Sequence, residues 1–168
     1  TLSNPKQLIA TSSVTKPLSC TPGEITVSVI GGTEPYVYYV NTTPPSGAFQ
    51  TTNTIEVNTP GTYTITVVDA NNCQTVTTQV VSQVLPPAYT VSSTNILCNN
   101  VNNGTITFNV TNANGNALLY SINNGTTWSN SNVFTGLAAG TYTALVQYTT
   151  GTAVCTTTSE TITISNPN

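Results

Sequence analysis

The phrase Gly-Thr-Tyr-Thr occurs twice, at Gly61–Thr64 and Gly140–Thr143, and each copy stands between two cysteines at similar distances. Cys20 and Cys73 flank the first copy, and Cys98 and Cys155 flank the second. Repetition at a spacing of roughly 80 residues means one structural unit written twice, which constrains the fold more than any local motif. The ends carry the same message. Leu2-Ser3-Asn4-Pro5 matches Ile164-Ser165-Asn166-Pro167, as expected if both ends fall at the same seam of a longer array. The reading is two domains, 1–86 and 87–168, with 1–5 the tail of a preceding repeat.

Composition narrows the class. Only 4% of the residues are charged, whereas 38% are hydrophobic, much of that Val, Ile and Tyr, and Thr plus Asn make up about a third of the chain. Disorder usually combines low hydrophobicity with high charge; this chain has the β-branched and aromatic residues that favour strands. Lys6 and Lys16 are the only cations. Nothing can neutralise a phosphate backbone or an anionic membrane, so no nucleic-acid partner and no direct membrane insertion are expected. No stretch is long and apolar enough for a spanning helix, and no signal peptide is visible.

Four cysteines allow three pairings. There is no C-x-x-C pair and no His, so a metal site is not expected. The repeat favours one disulfide inside each unit, Cys20 with Cys73 and Cys98 with Cys155. In the chain-entropy model each would contribute roughly 4 kcal/mol. Such bonds imply an oxidising location, and hence a secreted or cell-surface protein.

Period-2 alternation recurs along the chain. Ile25, Val27 and Val29 alternate with Thr26 and Ser28; Tyr63, Ile65 and Val67 with Thr62, Thr64 and Thr66; Ile106 and Phe108 with Thr105, Thr107 and Asn109. This is the pattern of half-buried antiparallel sheet with a Thr-rich outer face. Turn signals separate the runs: Gly31-Gly32, Pro44-Pro45-Ser46-Gly47, Asn71-Asn72 and Asn123-Asn124-Gly125, the last suited to a type I′ turn. No apolar 3.6-residue period persists, so no substantial helix is expected. Leu85-Pro86-Pro87 reads as a semi-rigid linker. The expected fold is all-β: two tandem immunoglobulin-like antiparallel β-sandwiches, seven strands each, placed end to end with one disulfide each. Aligning the copies pairs Ile55 with Phe134. It also places Tyr63 and Tyr142 inward at the start of a late strand, their hydroxyls tying a corner.

Gly31-Gly32-Thr33-Glu34-Pro35-Tyr36-Val37-Tyr38 followed by Gly61–Cys73 resembles the SprB-type repeat of very large surface adhesins of gliding Bacteroidetes. In the second unit Asn112–Asn116 replaces the Gly-Gly-x-x-Pro-Tyr stretch, and Leu119–Trp128 with Phe134–Tyr142 resembles a sister repeat of such proteins. The resemblance implies an immunoglobulin-like sandwich, export by type IX secretion, and repeats that space an adhesive tip from the cell. It implies no catalytic residue.

The chemistry available from the residues is sparse. Glu24, Glu34, Glu56, Glu160 and Asp69 are scattered, each reading as a solvated strand or loop position, so no enzyme activity and no cofactor are expected. A single Asp does not make the closely spaced carboxylates of a calcium site. The expected function is a structural stalk or spacer in a surface adhesin, linked to gliding or attachment. Its partners would be neighbouring repeats of the same polypeptide, and the fragment would be a monomer. The alternative is a carbohydrate-binding module that recognises a surface polysaccharide through Trp128 and Tyr39, with Asn and Thr supplying hydrogen bonds.

Overall fold

The computed structural model describes residues 6–41, 47–98 and 101–166. The Leu2–Pro5 seam and most of the Pro44–Gly47 break therefore lie outside the described residues. Residue contacts divide the chain into two units, Thr1–Val84 and Leu85–Asn168. The first contains β1 (Ile9–Lys16), β2 (Gly23–Ile30), β3 (Val37–Val40), β4 (Thr54–Val57), β5 (Gly61–Val68) and β6 (Gln74–Val81). The second contains β7 (Ala88–Thr94), β8 (Gly104–Asn112), β9 (Ala117–Ser121), β10 (Val133–Leu137), β11 (Gly140–Thr150), β12 (Ala153–Thr156) and β13 (Glu160–Ile164). Among the described residues there is no helix.

In the first unit one sheet runs β1-β2-β4 and the other β3-β5-β6, with every pairing antiparallel. Ile25 and Val27 from one sheet meet Tyr38, Ile65 and Val67 from the other in a single core. The second unit repeats the path. One sheet is β7-β8-β10, and in the other β11 pairs with β9 along one edge and with β12 and β13 along the other. Two outer strands, a crossover and this sheet order form the immunoglobulin arrangement A-B-E against C-F-G. The expected seven strands are corrected here. Among the described residues the lane beyond β4, and likewise beyond β10, is absent, and the seventh strand of the second unit exists only because one lane is broken into β12 and β13.

The duplicated phrase has a structural meaning. Tyr63 and Tyr142 stand at the start of β5 and β11, half-buried against their cores. The Tyr63 hydroxyl donates to the Thr59 carbonyl at 2.8 Å, and the Tyr142 hydroxyl to the Ala138 carbonyl at 3.0 Å. Each ties the corner entering its strand, as the sequence leads one to expect. A second pair of anchors is shared. The Asn53 side chain donates to the Val27 carbonyl at 3.0 Å, and the Asn132 side chain to the Phe108 carbonyl at 2.9 Å. Strand register confirms the alignment: Ile55 faces Ile25 as Phe134 faces Ile106.

Turn chemistry explains the glycines. After β2, Gly31 and Gly32 have φ of 75° and 68°; after β8, Asn114 and Gly115 have φ of 52° and 75°. Asn124 and Gly125, at 54° and 77°, form the expected I′-type turn, closed by the Thr126 amide on the Asn123 carbonyl. Outer-face polarity fails at the end of β5 and along β6, where Val76 and Val80 are 50% and 64% exposed. Thr66 and Val68 are buried at the end of β5, because a central strand there is covered on both sides.

Candidate functional site

The expected disulfides do not form. Cys73 and Cys98 are free, exposed thiols, whereas Cys20 and Cys155 are disulfide-bonded. The topology explains why. Cys20 follows Leu18, which bridges Gln83 just past the end of β6, whereas Cys73 precedes the start of β6. Eight residues of strand at about 3.3 Å each put these positions about 26 Å apart along the sheet, far beyond the Cα separation of about 7 Å a disulfide tolerates. The second unit repeats the geometry. Cys98 lies near the Ile164 end of the sandwich, where Ile96 donates to Ser165, and Cys155 faces Tyr148 near the other end of β11.

The two aromatic residues expected to contact a glycan belong to different units and are occupied locally. Tyr39 is half-buried on β3, on the face opposite the core residue Tyr38, and its ring lies 5.8 Å from that of Phe49 at 51°. Phe49 is 55% exposed, and no motif in the sequence marks it. Trp128 holds the equivalent position, because Gln50 clasps Tyr38 as Ser129 clasps Tyr120. Its ring lies over Gly125: a Cβ there would sit 3.1 Å from Trp128 Cζ2. The loop beneath is fixed by Ser121, whose hydroxyl accepts from the Gly125 amide at 2.9 Å, and by Asn123, whose side chain donates to Thr127 at 2.8 Å.

Asp69 is a correction to its reading as a solvated position. It is 5% exposed, and its carboxylate accepts from the amides of Thr33 at 3.0 Å, Asn71 at 2.9 Å and Cys73 at 2.8 Å. Burial pushes its pKa up, but the amide donors of Cys73, Thr33 and Asn71, with the Cys73 thiol, outweigh it and hold the carboxyl below the ordinary 3.8. A depressed folded-state pKa contributes stability above the unfolded value, and that stability is lost as pH falls through the folded value. Urea midpoints are therefore expected to decline below about pH 4 in the native chain, with a shallower decline in Asp69→Asn. Identical pH slopes for the two proteins would refute this role. Beside Asp69 lies a cavity of about 380 Å³ whose walls include Lys6, Gly32, Asn71 and Cys73.

A larger concavity, about 630 Å³, lies in the second unit. Pro86, Pro87, Tyr89, Tyr148, Thr157 and Glu160 contribute to its walls. It sits at the break between β12 and β13. In the first unit β6 pairs with β5 without interruption, Val68 with Gln74 through Gly61 with Val81. In the second, Gln147 pairs with Thr156 but Ala144 pairs with Glu160, so four residues of β12–β13 span three steps of β11. That is a bulge of one residue. Thr157 anchors it: its amide donates to the Val146 carbonyl at 2.9 Å, its hydroxyl accepts from the Val146 amide at 3.1 Å, and it bonds the Tyr89 hydroxyl at 2.7 Å. Tyr89, Tyr148 and Glu160 do not stand out as a group in the sequence. Tyr148 could have been counted out, since it stands as far after Gly140 as Asp69 stands after Gly61.

Among the described residues no group of three or more His, Cys, Asp and Glu is placed to hold a metal ion. No family model matches the chain, and no curated protein matches it. Among solved structures, the crystal structure of murine CEACAM1b aligns over 95% of this chain and 100% of that chain, at 15% identity with a TM-score of 0.35. The fold assignment rests on the strand order and the tyrosine corners, and the likeness adds nothing to it.

Proposed function

We propose that the chain is a pair of structural spacer repeats from a secreted or cell-surface bacterial adhesin, of the SprB-type class exported by type IX secretion, with no catalytic role of its own. One observation carries this reading: the same module is built twice, and the positions shared by both copies are devoted to the fold. Tyr63 and Tyr142 close corners, Asn53 and Asn132 clasp strands, and the paired apolar residues fill the two cores. A catalytic repeat would be expected to keep reactive groups at matching positions, yet Asp69 in one unit corresponds to Tyr148 in the other. The disulfide-bonded state of Cys20 and Cys155 supports an oxidising, extracellular location.

The test is a replacement in the parent protein. Exchanging these two repeats for two unrelated sandwich domains of similar length is expected to leave cell-surface display and attachment intact. An antibody against this chain should label intact cells expressing the native parent. Attachment abolished by the exchange, with display unchanged, would refute the spacer role.

A further inference from the structure

We infer that the groove beside the β12–β13 bulge is a binding site for a neutral saccharide chain, a function that goes beyond spacing and does not depend on it. The argument begins with what the second unit has and the first lacks. Val27 and Phe108 occupy the same position, each bonded through its backbone to the clasping asparagine. Counting along the paired strands from there, Tyr89 stands where the first unit has Ala10, and Tyr148 where it has Asp69. The bulge is also confined to the second unit. Two tyrosines and one inserted residue thus convert a continuous sheet edge into a groove of about 630 Å³.

The walls are prearranged. The Tyr89 hydroxyl is fixed by Thr157, and its ring lies 6.1 Å from the buried ring of Phe108. Tyr148 is buried and lines the same groove, with Pro86 and Pro87 adding further apolar surface. Walls that need no ordering on binding retain more of the contact free energy.

The wall chemistry selects the ligand class. Tyrosine and proline surfaces suit the C–H faces of a sugar ring, and threonine and serine hydroxyls suit its hydroxyls. Glu160, exposed at the rim, accepts from hydroxyl donors. No cation lines the groove, so a uronic acid or a phosphate would meet a carboxylate with nothing to offset its charge. A proline-rich peptide also suits aromatic grooves. An unbroken run of prolines has no amide N–H, however, and so offers Glu160 no donor along its backbone.

The test is an amide NMR titration of the full chain without reductant, so that Cys155 keeps its disulfide. The probes are cellotetraose, maltotetraose, mannotetraose, laminaritetraose, tetragalacturonate and decaproline, each to about 20 mM, enough to detect a Kd in the millimolar range. At least one neutral tetrasaccharide is expected to shift the amides of Tyr89 and Thr156–Glu160. Tyr89→Ala, which installs the residue the first unit carries there, and Glu160→Gln should each weaken that binding roughly tenfold. Trp128→Ala and Tyr39→Ala should leave it unchanged, and deleting Ser159, which removes the extra residue, should abolish it. No shift with any neutral probe overturns the inference. So does binding confined to tetragalacturonate or decaproline, or binding lost with Trp128→Ala and kept with Tyr89→Ala.

Discussion

Replacing Phe108 with alanine is expected to destabilise the second unit by about 3–5 kcal/mol, the range for removing a fully buried phenylalanine ring. Phe108 is 0% exposed and heads the fully buried side chains by volume. Its ring centroid lies 5.1 Å from Tyr120, 6.0 Å from Phe134 and 6.1 Å from Tyr89. The cost has two parts. The ring's transfer out of water is lost, and the three surrounding rings, each anchored on a different strand, cannot collapse into the space. For a sandwich of this size the total stability is roughly 4–13 kcal/mol, so this one change removes a large share of it. Val27 fills the same position in the first unit with a smaller side chain and makes a direct control: Val27→Ala should cost less, because fewer buried atoms are removed. Urea denaturation gives the magnitudes, and hydrogen exchange resolved along the sequence gives their location. Faster exchange is expected in β8, β9 and β11 for Phe108→Ala. A loss below about 1 kcal/mol would mean that the aromatic cluster is not what holds the second core.

The parts of the fold legible in the sequence are those where one residue type has one physical use. A tyrosine after Gly-Thr, repeated at equal spacing, had only the corner to tie, and both hydroxyls do so. Ile25, Val27, Ile106 and Phe108 alternate with polar neighbours because one face of β2 and β8 is buried, and each is found inside. The alternation misled at Thr66, since a central strand can be covered on both faces whatever its sequence period. The disulfide pairing is illegible in the sequence for a related reason. Matched spacing shows that Cys73 and Cys155 occupy equivalent places, but equivalence between copies says nothing about proximity within one. The strand directions put each expected pair at opposite ends of its sandwich. Asp69 was equally opaque, because its burial depends on amides from Thr33, far away in the chain, as well as from its own turn. The groove was hidden for a further reason. A one-residue bulge leaves no mark on composition or period, and becomes visible only when the pairing of β11 with β12 and β13 is set beside that of β5 with β6.

The second large effect is expected at Gly31, and Gly115 separates its causes. Both residues have φ of 75°, in the left-handed region that costs a non-glycine residue about 1–2 kcal/mol. Around Gly115 a new Cβ would meet nothing within 4 Å. Gly115→Ala should therefore cost only that conformational strain. At Gly31 the Cβ would run into the Gln7 carbonyl oxygen and lie 3.0 Å from that of Lys6. Both obstacles are backbone, so no side-chain rotation relieves them. The Lys6–Gln7 segment has to move, and with it the bond from the Gly32 amide to the Lys6 carbonyl at 2.8 Å. The Gly31 carbonyl also accepts the Tyr36 hydroxyl at 2.7 Å, so a shift of the turn reaches the tyrosine packed beneath it. Adding about 1–3 kcal/mol for the displaced packing to the strain gives an expected loss of about 2–5 kcal/mol for Gly31→Ala. The excess over Gly115→Ala measures the close approach alone. Urea midpoints of the two variants supply both numbers, and the amide shifts of Gln7, Gly32 and Tyr36 show whether the segment has moved. Equal losses for the two variants would mean that the Gln7 backbone yields freely, and that Gly31 is needed only for its dihedral angle.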